Sequence, residues 1–125
     1  MNNNHACIVC LGSNVDGEIH LQKAYKALER LFFGVKMGKI LRTKAVGDIP
    51  QPNYLNQAAR FTTNLTSEEV ETLLKGIEKE NGRKSGDKLK GLVSLDIDLL
   101  QYDDKILRPD DLLKDYVQLV LQGLD

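Results

Sequence analysis

Tryptophan is absent from this chain, cysteine and histidine occur only twice each, and there is no long apolar run. Because a membrane-spanning helix needs roughly 20 consecutive apolar residues, we expect no transmembrane segment. Neither histidine lies near a promising nucleophile in the sequence, which argues against a Ser/His/Asp or Cys/His catalytic set. The net charge of −1 excludes a general attraction to nucleic acid or to an anionic membrane, so a polyanion would need a local basic patch.

The two cysteines, Cys7 and Cys10, form a Cys-x-x-Cys pattern inside an apolar run. That run is typical of a β-strand, in which residues three apart point to opposite faces. We therefore expect two buried thiols and not a redox pair. A zinc site is not indicated either, because no second Cys or His pair completes the ligand set.

The composition is that of an ordinary globular domain. With 125 residues, of which 42% are apolar and 28% charged, the chain can bury one core and is too short for two. We predict a single domain over residues 1–125 and favour a monomer over an oligomer. The N-terminus lacks the basic start of a secretory signal, so we expect a cytoplasmic location.

Hydrophobic periodicity predicts strands at residues 6–11, 35–46, 54–63 and 94–100 and helices at residues 16–31 and 66–81. The second helix starts with a capping box, in which Thr66 and Glu69 bond to each other's backbone amides, and it ends at Gly82. The pattern does not decide whether the segment from Tyr116 to Leu124 is a helix or a strand.

The order strand, helix, strand, strand, helix, strand is that of a ferredoxin-like fold. This α+β arrangement, β-α-β-β-α-β, has an antiparallel sheet with both helices on one face. The opposite face of the sheet is then free, and a ligand can lie on it.

The stretch from Ser94 to Leu100 carries the clearest chemical signal. Its alternating polar and apolar residues place Asp96 and Asp98 on one face of a strand, roughly 6.5–7 Å apart at Cα. Two such carboxylates suit magnesium, which fills its remaining positions with water and substrate phosphates. The alternative from the residues alone is a solvated strand face, although two adjacent like charges call for a counter-charge.

The segment that leads into this strand is rich in glycine and in cations. The cations are Arg83, Lys84, Lys88 and Lys90. Positive charge beside a carboxylate pair indicates a polyphosphate ligand, because the metal bridges phosphate oxygens while the cations neutralise their charge. The chain has no Gly-x-x-x-x-Gly-Lys-Ser/Thr motif, so it is not a P-loop protein.

Four stretches, in order along the chain, also carry a family resemblance. They are Leu11-Gly12-Ser13-Asn14, Arg42-Thr43 followed by Gln51-Pro52-Asn53-Tyr54-Leu55-Asn56, Ile77-Glu78 followed by Gly82-Arg83, and Leu95-Asp96-Ile97-Asp98-Leu99-Leu100. Together they resemble the 6-hydroxymethyl-7,8-dihydropterin pyrophosphokinases of folate biosynthesis. The resemblance implies a ferredoxin-like fold that transfers the β,γ-pyrophosphoryl group of ATP to the pterin hydroxymethyl group and leaves AMP.

The resemblance also implies roles for individual residues. Asp96 and Asp98 would bind two magnesium ions and, with Arg83, form the catalytic set. The pterin would be bound by Thr43, Val46, Gly47, Tyr54 and Asn56. The nucleotide would lie against Lys75, Glu78, Lys84, Lys88, Lys90 and Leu99. An amide beside an aromatic face, as Asn56 and Tyr54 would provide, suits a flat heterocycle rich in hydrogen-bonding groups.

The chain departs from the family pattern before the aspartates, where the family reads Arg-x-Arg and then Arg-Trp-Gly-Pro-Arg. Only Arg83 and Gly91 match, and the tryptophan that stacks on the pterin is absent. The Pro-His and the later arginine of the family are missing from residues 111–116, so we expect a divergent and shortened member. Two alternatives stay open: a catalytically degenerate pterin- or nucleotide-binding module on the same fold, and an interaction domain whose aspartates form a solvated face.

Overall fold

The computed structural model describes residues 4–44, 53–84, 86 and 91–124. Within these ranges the strands are β1 (His5–Ser13), β2 (Phe33–Met37), β3 (Leu41–Thr43), β4 (Tyr54–Thr63), β5 (Asp96–Tyr102) and β6 (Lys105–Ile106). The helices are α1 (Gly17–Leu31), α2 (Ser67–Glu80), α3 (Pro109–Leu112) and α4 (Asp115–Gln122). In these ranges no helix has the length and apolar character that a membrane span requires.

These strands form one antiparallel sheet in the order β2-β4-β1-β5-β6, and β3 also pairs with β4. The first strand of the chain is therefore central, with β4 on one side and β5 on the other. This connectivity, with α1 after β1 and α2 after β4, is the predicted ferredoxin-like α+β fold. It places the strand that carries the aspartates directly beside β1.

The two long helices form where the sequence predicts them. The buried residues of α1 are Leu21, Ala24, Ala27 and Leu28. α2 starts with the predicted capping box: the Thr66 hydroxyl accepts from the Glu69 amide at 3.2 Å, and the Thr66 amide donates to the Glu69 carboxylate at 3.0 Å. After α2 the chain turns at Gly82, whose φ of 82° is a left-handed conformation that glycine adopts without strain.

The main hydrophobic core lies between the sheet and these two helices. Val9, Leu11, Ile97 and Leu99 of the central strands are almost fully buried in it. Close packing on this side gives β5 a rigid backing. Because side chains alternate along a strand, the polar residues of β5 lie on the other face of the sheet.

The prediction that this other face is free was wrong, because α4 covers part of it. Val117 and Val120 of α4 pack against Ala58 and Leu100 of the sheet in a second, smaller hydrophobic cluster. The segment from Tyr116 to Leu124, whose type the sequence left open, is mostly helix and has one apolar side. The aspartate face is thus bordered by an apolar layer and is only partly open to solvent.

Both cysteines are free and buried, as predicted. Cys7 lies in the main core and Cys10 in the cluster under α4, so the two thiols are on opposite faces of β1. Burial, followed by the charge of Asp103, raises the pKa of Cys7 to about 11. Burial, followed by the charges of Asp98 and Asp96, raises the pKa of Cys10 to about 12. Neither thiol is therefore a reactive thiolate at neutral pH.

The single strand predicted over residues 35–46 is interrupted, with β2 on one side of Gly38 and β3 on the other. The Gly38 amide donates to the carbonyl of Ala58, and the Gly38 carbonyl accepts from the side chain of Gln57, both at 2.8 Å. A Cβ at position 38 would lie 3.1 Å from the backbone of Gly123, just after α4. The strand is interrupted where the backbone of Gly123 approaches Gly38. A local sequence pattern does not predict a contact between residues so far apart in the chain.

We expect Val120→Ala to lower the free energy of unfolding by about 1.5–3 kcal/mol, because the lost methyl groups leave a cavity between α4 and the sheet. Val120 is 1% exposed, whereas its neighbour Leu119 is 52% exposed. Leu119→Ala is therefore the matched control and should change stability by less than about 0.5 kcal/mol. Urea denaturation measures both values, and two equally small effects would contradict the packing of α4.

Candidate active site

Asp96 and Asp98 lie on the sheet face that α4 partly covers, with side chains 37% and 23% exposed. Asp98 is the β-sheet partner of Cys10, which packs in the cluster under α4. Each carboxylate has an arginine beside it. Arg83 Nη1 lies 2.7 Å from Asp96 Oδ1, and Arg108 Nη1 lies 3.8 Å from Asp98 Oδ1. The counter-charges of this pair are therefore arginines.

The two carboxylates share a hydrogen bond, and their pKa values move apart. Burial, followed by the negative charge of Asp96, raises the pKa of Asp98 to about 7. Burial alone would also raise the pKa of Asp96, but hydrogen bonds with Arg83 and with Asp98 hold it below its usual value. Asp96 is thus the more readily ionised member of the pair, and a further cation beside Asp98 would favour the charged form of Asp98.

Glu78, near the end of α2, is 3% exposed and lies against β5. Its carboxylate accepts from the backbone amide of Ile97, the residue between the two aspartates, at 2.8 Å. Its other oxygen lies 3.3 Å from Arg83 Nη1 and 3.5 Å from Lys75 Nζ. Burial raises the pKa of Glu78, although the Ile97 amide and both cations act in the opposite direction. Glu78 therefore holds Arg83 and the aspartate strand in a fixed relation.

Asn14, which follows β1, fixes the segment before β5. Its side-chain amide donates to the Gly91 carbonyl at 2.7 Å, and its side-chain oxygen accepts from the Val93 amide at 2.7 Å. The Asn14 backbone amide also donates to the Val93 carbonyl at 2.9 Å. Because Asn14 is buried, water does not compete for these bonds. The sequence pattern gave no sign of this positioning role.

Asn56, Gly12 and Asp96 form a row across the adjacent strands β4, β1 and β5. A Cβ at position 12 would lie 3.0 Å from Asn56 Oδ1 and 3.9 Å from Tyr54 Cδ1. The missing side chain of Gly12 therefore leaves space on the sheet between an amide and a carboxylate. A planar molecule can approach the backbone closely only at such a position.

Thr43 and Tyr54 complete the amide end of this row. The Asn56 side chain donates to the Thr43 hydroxyl at 2.7 Å, which fixes the orientation of the amide. Tyr54 is half-buried on the same face, and burial followed by the charge of Asp96 raises its pKa. The structure thus brings Thr43, Tyr54 and Asn56, three of the predicted pterin residues, together beside Asp96.

The remaining predicted site residues differ in their exposure and in whether the structure describes them. Lys75 is exposed and lies next to Glu78, and Lys84 is also exposed. The Leu99 side chain is buried in the main core, so a ligand on the opposite face would meet only its backbone. Outside the described residues lie Val46, Gly47, Lys88 and Lys90. The assignment of all these residues to ligands stays a prediction.

Three charged residues near the C-terminus join the site without having been predicted. Asp111 accepts from Arg108 Nε at 2.5 Å and lies 2.9 Å from Lys114 Nζ. These hydrogen bonds, first that from Arg108, hold the pKa of Asp111 below its usual value. The spacing of three residues between these charges could have indicated the local pairs. The approach of Arg108 to Asp98 is a tertiary contact and has no sequence signal.

The aspartate pair has the donor chemistry of a site for a hard divalent cation. Its donors are carboxylate oxygens, and one of the two carboxylates lacks full compensation of its charge. No cluster of three or more His, Cys, Asp or Glu side chains suited to a metal occurs in the part of the chain that the structure describes. The pair would thus supply two ligands and leave the other positions to water and phosphate, which is how magnesium is commonly held.

The sheet order defines an α+β domain of ferredoxin-like connectivity, and its candidate site is the carboxylate pair with the two arginines beside it. The family model for 7,8-dihydro-6-hydroxymethylpterin-pyrophosphokinase (HPPK) matches residues 8–125. The chain therefore belongs to the HPPK family.

Curated relatives agree with this family. The 2-amino-4-hydroxy-6-hydroxymethyldihydropteridine pyrophosphokinase of Aquifex aeolicus is 37% identical over 99 residues, which cover 78% of this chain and 61% of the relative. The protein of the same name from Haemophilus influenzae is 31% identical over 105 residues, covering 80% and 64%. A mitochondrial folate synthesis bifunctional protein of Arabidopsis thaliana is 32% identical over 111 residues, covering 87% and 20%. The chain thus spans 61% and 64% of the two pyrophosphokinases.

The raised pKa of Asp98 predicts a pH dependence of stability. The pKa of Asp98 is about 7 in the folded protein and near 3.8 for an ordinary aspartate, as in the unfolded chain. Between these two pH values the folded protein therefore keeps a proton on Asp98 that the unfolded chain has released. The stability that Asp98 contributes is therefore complete below about pH 4 and is lost as the pH rises to about 7. When the pH is raised from about 5 to about 8, the free energy of unfolding should fall further in the native protein than in Asp98→Asn. The difference should exceed about 1.4 kcal/mol.

Urea denaturation of both proteins at the two pH values measures this difference. Asp104→Asn, which removes an exposed carboxylate from the turn between β5 and β6, is the control and should keep the native pH dependence. An Asp98→Asn protein with the native pH dependence would contradict the raised pKa.

Proposed function

We propose that this chain transfers the pyrophosphoryl group of ATP to the hydroxymethyl group of 6-hydroxymethyl-7,8-dihydropterin, with magnesium bound by Asp96 and Asp98. Membership of the HPPK family supports this reaction class. The observation that carries the proposal is the row Asn56, Gly12 and Asp96, because it puts an amide and a carboxylate on one sheet face. A pterin and a magnesium-bound polyphosphate held there would have their reacting groups side by side.

Thr43, Tyr54 and Asn56 would bind the pterin. Because the Asn56 amide is already held by Thr43, its orientation is set before the ligand arrives, and less conformational entropy is lost on binding. Its oxygen and its second N–H can pair with the edge of a heterocycle that presents both donors and acceptors. Tyr54 offers an aromatic face, and Gly12 leaves room for the ring.

Asp96, Asp98 and Arg83 would act on the polyphosphate. Magnesium bound at the two carboxylates would neutralise phosphate charge and polarise the transferred group. Arg83 is held between Glu78 and Asp96, at 3.3 Å and 2.7 Å, and so remains near the charge that develops during transfer. A donor fixed in this way does not have to reorganise during the reaction.

The proposed step is a single displacement. The hydroxymethyl oxygen of the pterin forms a bond to the β-phosphorus of ATP, and its proton passes to solvent water. The bond between the β-phosphorus and the oxygen that bridges to the α-phosphorus breaks, and AMP leaves with the electron pair. The chain positions the two substrates and screens their charge, since phosphoryl transfer requires little covalent chemistry of the protein.

A second candidate is a module that binds the pterin and has lost the transfer step. The absence of tryptophan and the poor match of the segment before β5 to the arginines of the family favour it. A lysine such as Lys84 offers a point charge and lacks the bidentate fork of arginine, so it holds a triphosphate less firmly. Nucleotide binding therefore distinguishes the two candidates.

Asn56→Ala should weaken pterin binding by about 5- to 150-fold, because a buried amide that pairs with a ligand contributes about 1–3 kcal/mol. Nucleotide binding should not change. Gln57→Ala is the matched control: Gln57 is the next residue on β4, is also buried and hydrogen-bonded, but lies on the opposite face. Calorimetric titration with the pterin measures the affinities, and equal losses in the two variants would contradict the assignment.

Asp96→Asn/Asp98→Asn should abolish the magnesium-dependent binding of a non-hydrolysable ATP analogue and the formation of AMP from ATP, because the metal loses both carboxylates. The pterin should still bind. Asp104→Asn/Asp115→Asn removes two exposed carboxylates elsewhere and controls for net charge. Pterin binding without nucleotide binding in the native protein would favour the binding module, and binding of neither would favour an interaction domain.

A further inference from the structure

Arg108 directly precedes α3 and reaches back to the aspartate strand. Its Nε lies 2.5 Å from Asp111 Oδ2, whereas its Nη1 lies 3.8 Å from Asp98 Oδ1. The other Asp111 oxygen lies 2.9 Å from Lys114 Nζ. The Arg108 guanidinium is therefore tethered to Asp111 by a hydrogen bond and is attracted to Asp98 by charge alone.

The arginine beside Asp96 is held more firmly than the arginine beside Asp98. Arg83 makes a charge-assisted hydrogen bond to Asp96 at 2.7 Å and also contacts the buried Glu78. The contact between Arg108 and Asp98 is too long for a hydrogen bond, and Arg108 is about half exposed. An entering cation can therefore displace Arg108 from Asp98 more easily than it can displace Arg83 from Asp96.

We propose that Arg108 is a built-in counter-cation of Asp98, which a divalent ion must displace, and that it lowers the affinity of the aspartate pair for the bare ion. This inference rests on the proposed function and adds a residue that competes with the metal. The guanidinium and the ion need the same carboxylate, and like charges repel at this separation. Because Asp111 keeps its hydrogen bond to Arg108, displacement requires a shift of the guanidinium and not its release.

Arg108 would thereby influence whether a divalent ion binds to the aspartates alone or together with a polyphosphate. A bare divalent ion meets a carboxylate pair beside which two positively charged arginines already lie. An ion that arrives with a polyphosphate brings negative charge, which offsets the repulsion from Arg108. The aspartate pair would then be loaded mainly by the metal–polyphosphate complex.

The test is Mn²⁺ binding at low ionic strength, followed by the paramagnetic resonance signal of the free ion, which needs no turnover. We expect Arg108→Gln to bind Mn²⁺ about three- to fivefold more tightly than the native protein, the range that a partly exposed ion pair supports. Arg108→Lys keeps the charge and should stay within about twofold of the native protein. Circular dichroism checks that each variant is folded.

Lys105→Gln and Asp98→Asn are the controls. Lys105 is exposed on β6 and contributes no ion pair to the aspartate strand in the described part of the chain, so its removal tests the effect of net charge alone. We expect its Mn²⁺ affinity to equal that of the native protein. Asp98→Asn should lose Mn²⁺ binding, both alone and in combination with Arg108→Gln.

Equal Mn²⁺ affinity in the native protein and Arg108→Gln, with loss of binding in Asp98→Asn, would overturn the role of Arg108 and leave the proposed metal site intact. Tighter binding by Lys105→Gln to the same extent as by Arg108→Gln would also overturn it. Mn²⁺ binding that survives in Asp98→Asn would overturn the metal site and the inference with it. Mn²⁺ binding that is absent from both the native protein and Arg108→Gln would overturn the inference, and the titration with the ATP analogue would then decide the metal site.

Discussion

Two carboxylates on one face of a half-buried strand repel each other, and the surroundings of β5 compensate that repulsion. Asp96 is hydrogen-bonded by Arg83, and Asp98 is approached by Arg108. Glu78 holds Arg83 in place and binds the amide of the residue between the aspartates. Apolar side chains at the two positions would cost the fold less, because partly buried ion pairs add little net stability. Stability alone therefore does not account for the two charges.

One face of the sheet contributes mainly to stability, and the other carries the polar residues of the candidate site. One face is packed continuously against α1 and α2. The other is shared between the apolar cluster under α4 and the polar row from Asn56 to Asp96. Because α4 removes water from the neighbourhood of the carboxylates, the interactions of charge at the site are stronger than they would be on an open sheet. In this way α4 influences the surroundings of the carboxylates.

What could be predicted from the sequence is what depends on local spacing. The alternation around Asp96 and Asp98, the capping box at Thr66 and the opposite faces of the two cysteines all follow from the period of a strand or the chemistry of a helix end. The break at Gly38 depends on Gly123, and the counter-charge on Asp98 comes from a helix start beyond β6. Contacts of this kind arise only when distant segments pack together, so no local sequence pattern predicts them. The family resemblance named the candidate pterin residues, and the structure adds how Thr43 orients Asn56.

Asn14 joins the end of β1 to Gly91 and Val93, 77 and 79 residues further along the chain. Closing so long a loop loses conformational entropy that is recovered only when both strands are in place. The contacts of Asn14 with Gly91 and Val93 therefore form only once β1 and the segment before β5 lie side by side. During synthesis on the ribosome, β1, both long helices and β4 are complete before β5 emerges, and one edge of β1 remains unpaired until then. The strand that carries the carboxylates is thus also the strand that protects the nascent sheet from association with other chains.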